Sequence, residues 1–195
     1  ILDMCTGNAP VPLVLSLKTD AKIIGFELQR AIAELAWESI SINGLDKQIK
    51  VINDDVKNIG EFFKPNTFDV ITCNPPYFKI NDDKNKNKND YLTLARHEIA
   101  IDLETIFKLV NRFLKDNGVF YMVHRAERLD EIIILANKYK LNVKEIQFIS
   151  TKKNNNPSTI LVKCVKNSKI GVKIKREICV DNLSTYQHLF EGSGK

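Results

Sequence analysis

Asn74, Pro75, Pro76 and Tyr77 form the stretch of the chain with the most distinctive chemistry, and they follow an apolar run over residues 68–73 that is typical of a strand. Two consecutive prolines have no N–H and hold the backbone rigid, so the carbonyl groups of this turn stay available as acceptors. An Asn side-chain oxygen and an adjacent backbone carbonyl can together accept both hydrogens of a planar amino group. An aromatic ring beside them can stack on the heterocycle that carries the amine.

Accepting both hydrogens has a chemical use, because an aryl or amide nitrogen is a poor nucleophile whose lone pair is delocalised. The two hydrogen bonds favour a pyramidal nitrogen with its lone pair directed at an electrophile, and they strengthen in the transition state. The alternative interpretation is an ordinary turn after a strand.

Two further features lie where predicted strands end. Residues 3–10 form a small-residue turn with Asp3, Cys5, Gly7 and Asn8, and a helix follows, so backbone N–H groups there could approach an anionic ligand. Glu27 follows the next strand, where an acid can accept hydrogen bonds from ribose hydroxyls. The alternatives are a tight turn without a ligand and a solvated acid at the start of a helix.

Asp54 and Asp55 follow a third short strand. A carboxylate at that position can accept the exocyclic amine of an adenine ring while Val56 packs on the face of the ring. The pair could equally cap the helix that follows.

The elements that carry these residues alternate in type. Strands are predicted at 23–26, 50–52, 68–73 and 118–123, and helices at 11–17, 28–42 and 99–114. This alternation predicts βαβ units and a parallel sheet. A helix at 126–139 and strands at 143–150 and 159–165 follow, the strands joined as a hairpin by a polar stretch. The helix at 28–42 is predicted to bury one face, which consists of Leu28, Ala31, Ile32, Leu35, Ala36 and Ser39.

Length and composition predict one globular domain: 195 residues, 44% hydrophobic and 27% charged. No apolar run approaches the roughly 18 residues of a membrane span and no leader is visible, which predicts a cytoplasmic protein without membrane contact. The four cysteines form no CxxC pair, so we expect reduced thiols and no metal site. Ile1 begins inside a predicted strand, and we therefore expect an upstream segment.

Charge is unevenly distributed along the chain. The formal net charge is +5, yet residues 151–176 hold eight Lys and Arg, among them Lys152 and Lys153, and no Asp or Glu. Such clustering is typical of proteins that bind nucleic-acid phosphates. The alternative is an edge hairpin that its lysines protect from aggregation. Residues 81–90 are of low complexity and are predicted to be a mobile loop that could close over a flipped base.

At these spacings, the Asp3-x-x-x-Gly7 turn, Glu27, Asp55 and the Asn-Pro-Pro-Tyr turn resemble the class I S-adenosylmethionine-dependent amino-methyltransferases. More narrowly, the chain resembles the bacterial tRNA1(Val) adenine-N6-methyltransferase family over nearly its whole length. The most specific segments are NPPY, RHE at 96–98 and HRAERL at 124–129. The resemblance implies an α/β, Rossmann-like class I methyltransferase fold with a mostly parallel seven-stranded sheet that ends in an antiparallel hairpin.

The resemblance also implies a reaction, N6-methylation of an adenine next to the anticodon of a tRNA, with S-adenosylhomocysteine as the by-product. By this resemblance Asp3 and Gly7 line the methionine moiety of the cofactor, Glu27 its ribose and Asp55 its adenine. Arg96 and His97 help to shape the pocket for the target base. Ala9 departs from the usual glycine, and its methyl group could crowd the cofactor. The cofactor site is expected to include Asp3, Cys5, Gly7, Asn8, Glu27, Leu28, Asp54, Asp55, Val56 and Asn74, and the catalytic turn Asn74, Pro75, Pro76 and Tyr77.

Other functions stay open at this point. A protein-glutamine N5-methyltransferase shares the NPPY turn, and a DNA adenine-N6-methyltransferase shares the chemistry. A non-catalytic RNA-binding module could retain the fold with a degenerate cofactor site. We expect one methyltransferase domain over residues 1–195, a monomer or weak homodimer, with tRNA as partner and Tyr77, Arg96, His97, Lys152 and Lys153 contacting it.

Overall fold

The computed structural model describes residues 1–76, 101–152 and 156–181. Tyr77, Arg96, His97, Lys153 and the low-complexity segment at 81–90 therefore lie outside the described residues. The strands are β1 (Leu2–Asp3), β2 (Ile23–Glu27), β3 (Ile49–Asn53), β4 (Phe68–Cys73), β5 (Leu114–Arg125), β6 (Leu141–Ser150), β7 (Thr159–Lys166), β8 (Lys173–Ile174) and β9 (Ile178–Cys179). The α-helices are α1 (Pro10–Ser16), α2 (Arg30–Ile42), α3 (Leu103–Phe113) and α4 (Leu129–Lys138), with 3-10 turns at Val56–Glu61 and Ala126–Arg128.

One sheet contains all of these strands, in the order β3-β2-β1-β4-β5-β7-β6-β8, with β9 also pairing with β6. Strands β1 to β5 run parallel, whereas β7 is antiparallel to both β5 and β6. The α/β fold, the parallel sheet and the antiparallel hairpin predicted from the sequence are confirmed. The strand order reverses between β1 and β4, and in open α/β sheets ligands bind at the carboxyl ends of the strands beside such a reversal.

Two apolar clusters cover opposite faces of the sheet, because successive strand residues point to opposite sides. In β2, Ile23 packs with α2, and Phe26 packs in the larger cluster with α3 and α4. The smaller cluster contains Ala9, Ile23, Ala33, Ala36, Ile40, Ile49 and Val51. A sheet with helices on both faces is the architecture that the alternating pattern predicted.

The buried face of α2 differs from the prediction. Its buried residues are Ala33, Ala36 and Ile40, whereas Leu35 remains 49% exposed. Trp37 lies beside this face and donates its Nε1–H to the carbonyl oxygen of Val51 in β3 at 3.0 Å. Both faces of α2 carry apolar residues at helical spacing. The small alanines and the Trp37 hydrogen bond hold this face against the sheet. Of the predicted face only Ala36 is buried and Ile32 and Ser39 are half-buried, whereas the prediction was wrong for the others, which are exposed.

Two element boundaries and the number of strands also differ from expectation. The helix predicted at 126–139 begins with a 3-10 turn, and its α-helical part starts at Leu129. Strand β5 starts at Leu114 and not at residue 118, with a register irregularity opposite Phe68 and Val70 of β4. Beyond the seven expected strands, β8 and β9 add two short parallel pairs along the outer edge of β6. Apolar and polar residues do not alternate regularly around these two strands, and a strand of two residues is too short to show a period.

Lys166 is a lysine that is only 7% exposed and joins three parts of the fold. Its Nζ donates to Asn66 Oδ1 at 2.8 Å, to the carbonyl oxygen of Asn111 at 2.7 Å and to that of Leu114 at 2.8 Å. The last carbonyl groups of a helix have no partner within the helix. Lys166 supplies one at the end of α3, and all three of its N–H donors are used.

We predict that Lys166→Met lowers the free energy of unfolding by about 2–4 kcal/mol, because it leaves buried carbonyl groups without donors. Urea denaturation monitored by circular dichroism measures the change. The matched control is Lys169→Met on the exposed β7–β8 connection, which should stay within about 0.5 kcal/mol of the native chain. Equal stabilities for the two variants would contradict a structural role for Lys166.

Candidate active site

A cavity of about 370 Å³ opens at the carboxyl ends of β1, β2, β3 and β4, beside the reversal in strand order. Its volume lies within the usual range for small-molecule sites, about 300–1,000 Å³. The lining residues are Met4, Cys5, Gly7, Phe26, Glu27, Leu28, Gln29, Asp54, Asp55, Val56, Lys57, Asn74, Pro75, Pro76 and Ile101. Four separate stretches that the sequence analysis singled out therefore meet at one place.

Asp3 lies at the base of this region, only 1% exposed, and does not line the cavity. Its two carboxylate oxygens accept hydrogen bonds from the hydroxyl groups of Thr6 and Thr72, each at 2.6 Å. Burial raises the pKa of the Asp3 carboxyl, and the two threonine hydrogen bonds act against that rise. Asp3 therefore ties the turn after β1 to β4. The prediction that it touches the cofactor remains untested.

Gly25 in β2 lies so close to the turn after β1 that no side chain fits there. A Cβ atom there would lie 2.8 Å from Thr6 Cγ2 and 2.9 Å from Thr6 Oγ1. The backbone N–H of Thr6 also donates to the carbonyl oxygen of Phe26 at 2.8 Å. The close approach of the turn to β2 thus requires glycine.

Glu27 organises the cavity wall through both of its carboxylate oxygens. Oε2 accepts the backbone N–H of Gly7 and Oε1 accepts that of Gln29, each at 2.9 Å. Each carboxylate oxygen has two lone pairs, so one acceptor position on each remains for a ligand hydroxyl group. The Gly7 N–H, which we expected to face a ligand, is used by Glu27.

Asp55 combines the two roles considered for it. It lines the cavity, and Oδ1 accepts the backbone N–H of Lys57 at 2.9 Å as the cap of the 3-10 turn that follows. Oδ2 pairs with Lys57 Nζ at 3.3 Å. Asp54 Oδ1 accepts the backbone N–H of Asp55 at 2.7 Å. The capping interpretation is confirmed, and the interaction with an adenine amine remains a prediction.

The Asn-Pro-Pro turn forms the opposite wall. Pro75 is buried and Asn74 is exposed at the end of β4, and both line the cavity together with Pro76. The rigid prolines fix the direction in which the chain leaves the sheet. An amide acceptor therefore lies in the same cavity as the Glu27 and Asp55 carboxylates.

The structure brings most of the predicted site residues together. Besides Asp3, Asn8 does not line the cavity, and Lys152 lies beyond β6 on the exposed surface. Sequence reasoning missed Met4, Phe26, Gln29, Lys57 and Ile101 as lining residues. Phe26 ends the strand predicted at 23–26, directly before Glu27, and Lys57 lies two residues after Asp55. Closeness in sequence to a predicted site residue was therefore the signal that could have identified both.

Ala9 does not crowd the cavity. Its methyl group is fully buried in the smaller apolar cluster against α2, and Ala9 is absent from the cavity wall. The expectation of a clash with a cofactor at this residue is wrong, because the side chain points into the core. Ala9 instead has a left-handed backbone, φ 67°, where an L-residue carries a cost of about 1–2 kcal/mol.

The described residues contain no cluster of three or more His, Cys, Asp or Glu side chains suited to a metal ion. Within these same ranges no helix is long and apolar enough to cross a membrane. The cavity itself offers the three carboxylates of Glu27, Asp54 and Asp55, backbone polar groups and apolar side chains such as that of Phe26. This combination suits a nucleoside, with its hydroxyl groups on carboxylates and its base between apolar surfaces.

This doubly wound sheet, with an acid at the end of β2, acids after β3 and an Asn-Pro-Pro turn after β4, is that of a class I S-adenosylmethionine-dependent methyltransferase. The family described as "Methyltransferase domain" matches residues 1–178, and the chain belongs to this family. The site residues fit S-adenosylmethionine as the cofactor of this enzyme.

Particular relatives refine the comparison. The chain is 30% identical over 176 residues to a tRNA1(Val) (adenine(37)-N6)-methyltransferase of Bacteroides thetaiotaomicron, covering 89% of this chain and 71% of the relative. It is 27% identical over 162 residues to a protein of the same name from Phocaeicola vulgatus, covering 83% and 67%. Among solved structures, a predicted O-methyltransferase of Agrobacterium tumefaciens superposes with a TM-score of 0.70 at 16% identity, covering 92% of this chain and 79% of that one.

A second solved structure shares the fold at lower identity. Geranyl diphosphate C-methyltransferase of Streptomyces coelicolor, solved with S-adenosylhomocysteine, has a TM-score of 0.61 at 10% identity, covering 85% of this chain and 70% of that one.

We predict that Gly25→Ala weakens cofactor binding, because the added methyl group displaces Thr6 and disturbs the turn after β1. We expect the Kd for S-adenosylhomocysteine to rise about tenfold, or about 1.4 kcal/mol. The free energy of unfolding should fall by about 1–3 kcal/mol. Calorimetry and urea denaturation measure both. The control is Gly60→Ala, where a Cβ would meet Phe113 Cζ at an ordinary 3.8 Å. Equal affinities of the two variants would contradict this role of Gly25.

The raised pKa of Asp3 predicts a specific pH dependence of stability. Because the folded state binds the proton more tightly than the unfolded state, ionisation of Asp3 costs stability as pH rises from the ordinary pKa of an aspartate, 3.8, to the raised pKa of the folded state. Each unit of the rise corresponds to about 1.4 kcal/mol.

Asp3→Asn removes this ionisation and keeps an acceptor oxygen for one threonine. We therefore expect the variant to gain stability relative to the native chain as pH increases from about 4 to 7. Urea denaturation of both proteins across this range measures the difference, in which the other carboxyl groups cancel. A difference that is constant with pH, or that shrinks, would argue against a raised pKa.

Proposed function

We propose that this enzyme methylates the exocyclic N6 of an adenine in tRNA, at the position next to the anticodon. The observation that carries the proposal is the placement of Asn74 in the same cavity as Glu27 and Asp55. An acceptor for an amino group thus lies beside the groups suited to a nucleoside cofactor. The names of the relatives from Bacteroides thetaiotaomicron and Phocaeicola vulgatus support adenine in tRNA as the target.

Each side chain has a separate task in this proposal. S-adenosylmethionine supplies an electrophilic methyl group when it is bound. Glu27 accepts ribose hydroxyls, and Asp55 accepts the adenine amine of the cofactor. Asn74 Oδ1 and the carbonyl oxygen of Pro75 accept the two hydrogens of the target amine, which directs the nitrogen lone pair toward the methyl group. Tyr77 stacks on the target base, and Arg96 and His97 shape its pocket.

No side-chain base is required, because the methylated nitrogen can release its proton to water. His124 is the second-last residue of β5, at this edge, but it is 3% exposed and its Nδ1 accepts the backbone N–H of Arg125 at 2.9 Å. Burial lowers the pKa of His124, with Arg128 adding to the effect. His124 is therefore a neutral histidine whose role is structural.

The basic segment at 151–176 is more dispersed than its sequence suggests. Lys166 is buried in the fold, and both Lys163 and Lys175 pair with Glu145 of β6, at 3.3 and 3.7 Å. Lys152 remains exposed just beyond the end of β6. The described residues of this segment, 151–152 and 156–176, therefore do not form one continuous phosphate-binding patch.

The part of this charge that supports an RNA substrate lies at the same edge of the sheet as the cavity. Strands β4, β5 and β6 point the same way, so their carboxyl ends at Cys73, Arg125 and Ser150 share one edge of the sheet. Arg125 and Lys152 thus lie at the same edge of the sheet as Asn74. We propose that Lys152, and with it Lys153, contacts the tRNA backbone, where phosphate contacts position the substrate without reading its sequence.

We further propose that residues 1–195 form one methyltransferase domain that acts as a monomer or weak homodimer on tRNA in the cytoplasm. The shared core supports a single domain, because one apolar cluster contains residues from β1 through β7.

The test is transfer of a radiolabelled methyl group to unmodified tRNA, followed by mass spectrometry of the nucleosides. Asn74→Ala should lower kcat about 10²–10³-fold, because an interaction that strengthens in the transition state is lost. The Kd for S-adenosylhomocysteine should change much less. The matched control is Asn43→Ala at the exposed end of α2, where Nδ2 donates to the carbonyl oxygen of Ser39 at 2.8 Å.

The product identifies the substrate class. N6-methyladenosine in tRNA supports the proposal, whereas label in protein glutamine or in DNA would replace it with one of the other methyltransferase reactions. Cofactor binding without transfer to any of these acceptors would favour a non-catalytic RNA-binding module.

A further inference from the structure

Two free thiol groups meet at the base of the cavity. Cys5 is half-buried and lines the cavity, whereas Cys73 is 2% exposed at the end of β4. Cys5 packs against the apolar cluster that contains Cys73. No local sequence pattern indicates this pair, because 68 positions separate the two residues and neither belongs to a CxxC motif.

The strand pairing explains why the thiols meet. Asp3 of β1 lies opposite Thr72 of β4, and the backbone N–H of Met4 donates to the carbonyl oxygen of Thr72 at 2.9 Å. Cys5 is the next residue, with φ 137°, a backbone conformation that L-residues rarely adopt. Cys73 directly precedes Asn74. A bond between the sulfur atoms would therefore link the turn after β1 to the catalytic turn after β4.

We propose that Cys5 and Cys73 form a reversible disulfide that takes a hydroperoxide as its oxidant and lowers the affinity of the cavity for S-adenosylmethionine. This inference rests on the assignment of the cavity as the cofactor site. The S–S bond is about 2.05 Å long, much shorter than a contact between two thiols. Closing it draws Cys5 toward Cys73 and reshapes the cavity wall.

The chemistry balances with one molecule of hydrogen peroxide. The Cys5 sulfur, as thiolate, attacks one peroxide oxygen, the O–O bond breaks, and Cys5 sulfenic acid and hydroxide result. The Cys73 sulfur then attacks the Cys5 sulfur, the S–O bond breaks and the S–S bond forms. The two thiol protons end in two molecules of water. The neighbouring Cys5 thiol, together with burial, raises the pKa of the Cys73 thiol, so the second step should accelerate with pH.

The experiment treats the reduced full chain with hydrogen peroxide and maps the products by peptide mass spectrometry. We expect a peptide cross-link between Cys5 and Cys73 with loss of two hydrogen atoms. Calorimetry with S-adenosylhomocysteine should give a Kd at least tenfold higher after oxidation and the original Kd after dithiothreitol. Saturating S-adenosylhomocysteine should slow the cross-link, because Cys5 lines its site.

Two variants separate the steps. Cys73→Ala should give no cross-link, and its Cys5 sulfenic acid should be captured by dimedone. Cys179→Ser is the matched control, because Cys179 is a half-buried thiol on β9 whose Sγ lies 3.1 Å from Asp181 Oδ1. It should retain both the cross-link and the change in affinity.

Oxidation at other cysteines without a Cys5–Cys73 cross-link would overturn the proposal, as would a cross-link that leaves the Kd unchanged. A reduced protein that does not bind S-adenosylhomocysteine would instead contradict the cofactor assignment. The mass spectrum reports on the cross-link independently of that result.

Discussion

A buried carboxylate shared by two threonine hydroxyl groups holds the functional edge of this protein together. Asp3 lies between Thr6, in the turn after β1, and Thr72, in β4. Backbone hydrogen bonds complete the connection, because Thr6 donates to Phe26 of β2 and Met4 donates to Thr72. The two-residue strand β1 is thereby fixed to both of its neighbours. Removing a carboxylate from water is costly, and two short hydrogen bonds are what make this burial tolerable.

The cavity wall depends on this arrangement. Once the turn after β1 is fixed, the Gly7 N–H lies within hydrogen-bond reach of Glu27, and Glu27 in turn orders the start of the segment that leads into α2 through Gln29. The side chains that face the cavity are thus held by backbone groups of neighbouring segments. Such organisation before a ligand binds reduces the ordering that binding requires. The contact between Cys5 and Cys73 arises from the same close pairing of β1 with β4.

Sequence reasoning was most successful where a local pattern has one physical meaning. The apolar run at 68–73 corresponds to β4 at both of its ends, and the turn with two prolines follows it at the cavity. Acids after predicted parallel strands converge because the carboxyl ends of such strands share one edge. Prediction from the sequence failed where two local arrangements of the chain have similar energies. Either face of α2 could have been buried, and only the sheet beneath it decides between them.

The identities of Glu27, Asp55 and the Asn-Pro-Pro turn, and the positions along the chain of the strands that carry them, could be read directly from the sequence, because periodicity and turn chemistry are local properties. The tertiary structure alone placed Ala9 in the core and Asp3 beneath the cavity. It likewise buried Lys166 at the end of α3 and paired two lysines of the basic segment with Glu145. The partner of a charge or a thiol is set by which strands become neighbours. That choice depends on contacts between residues far apart in the chain, which no local pattern records.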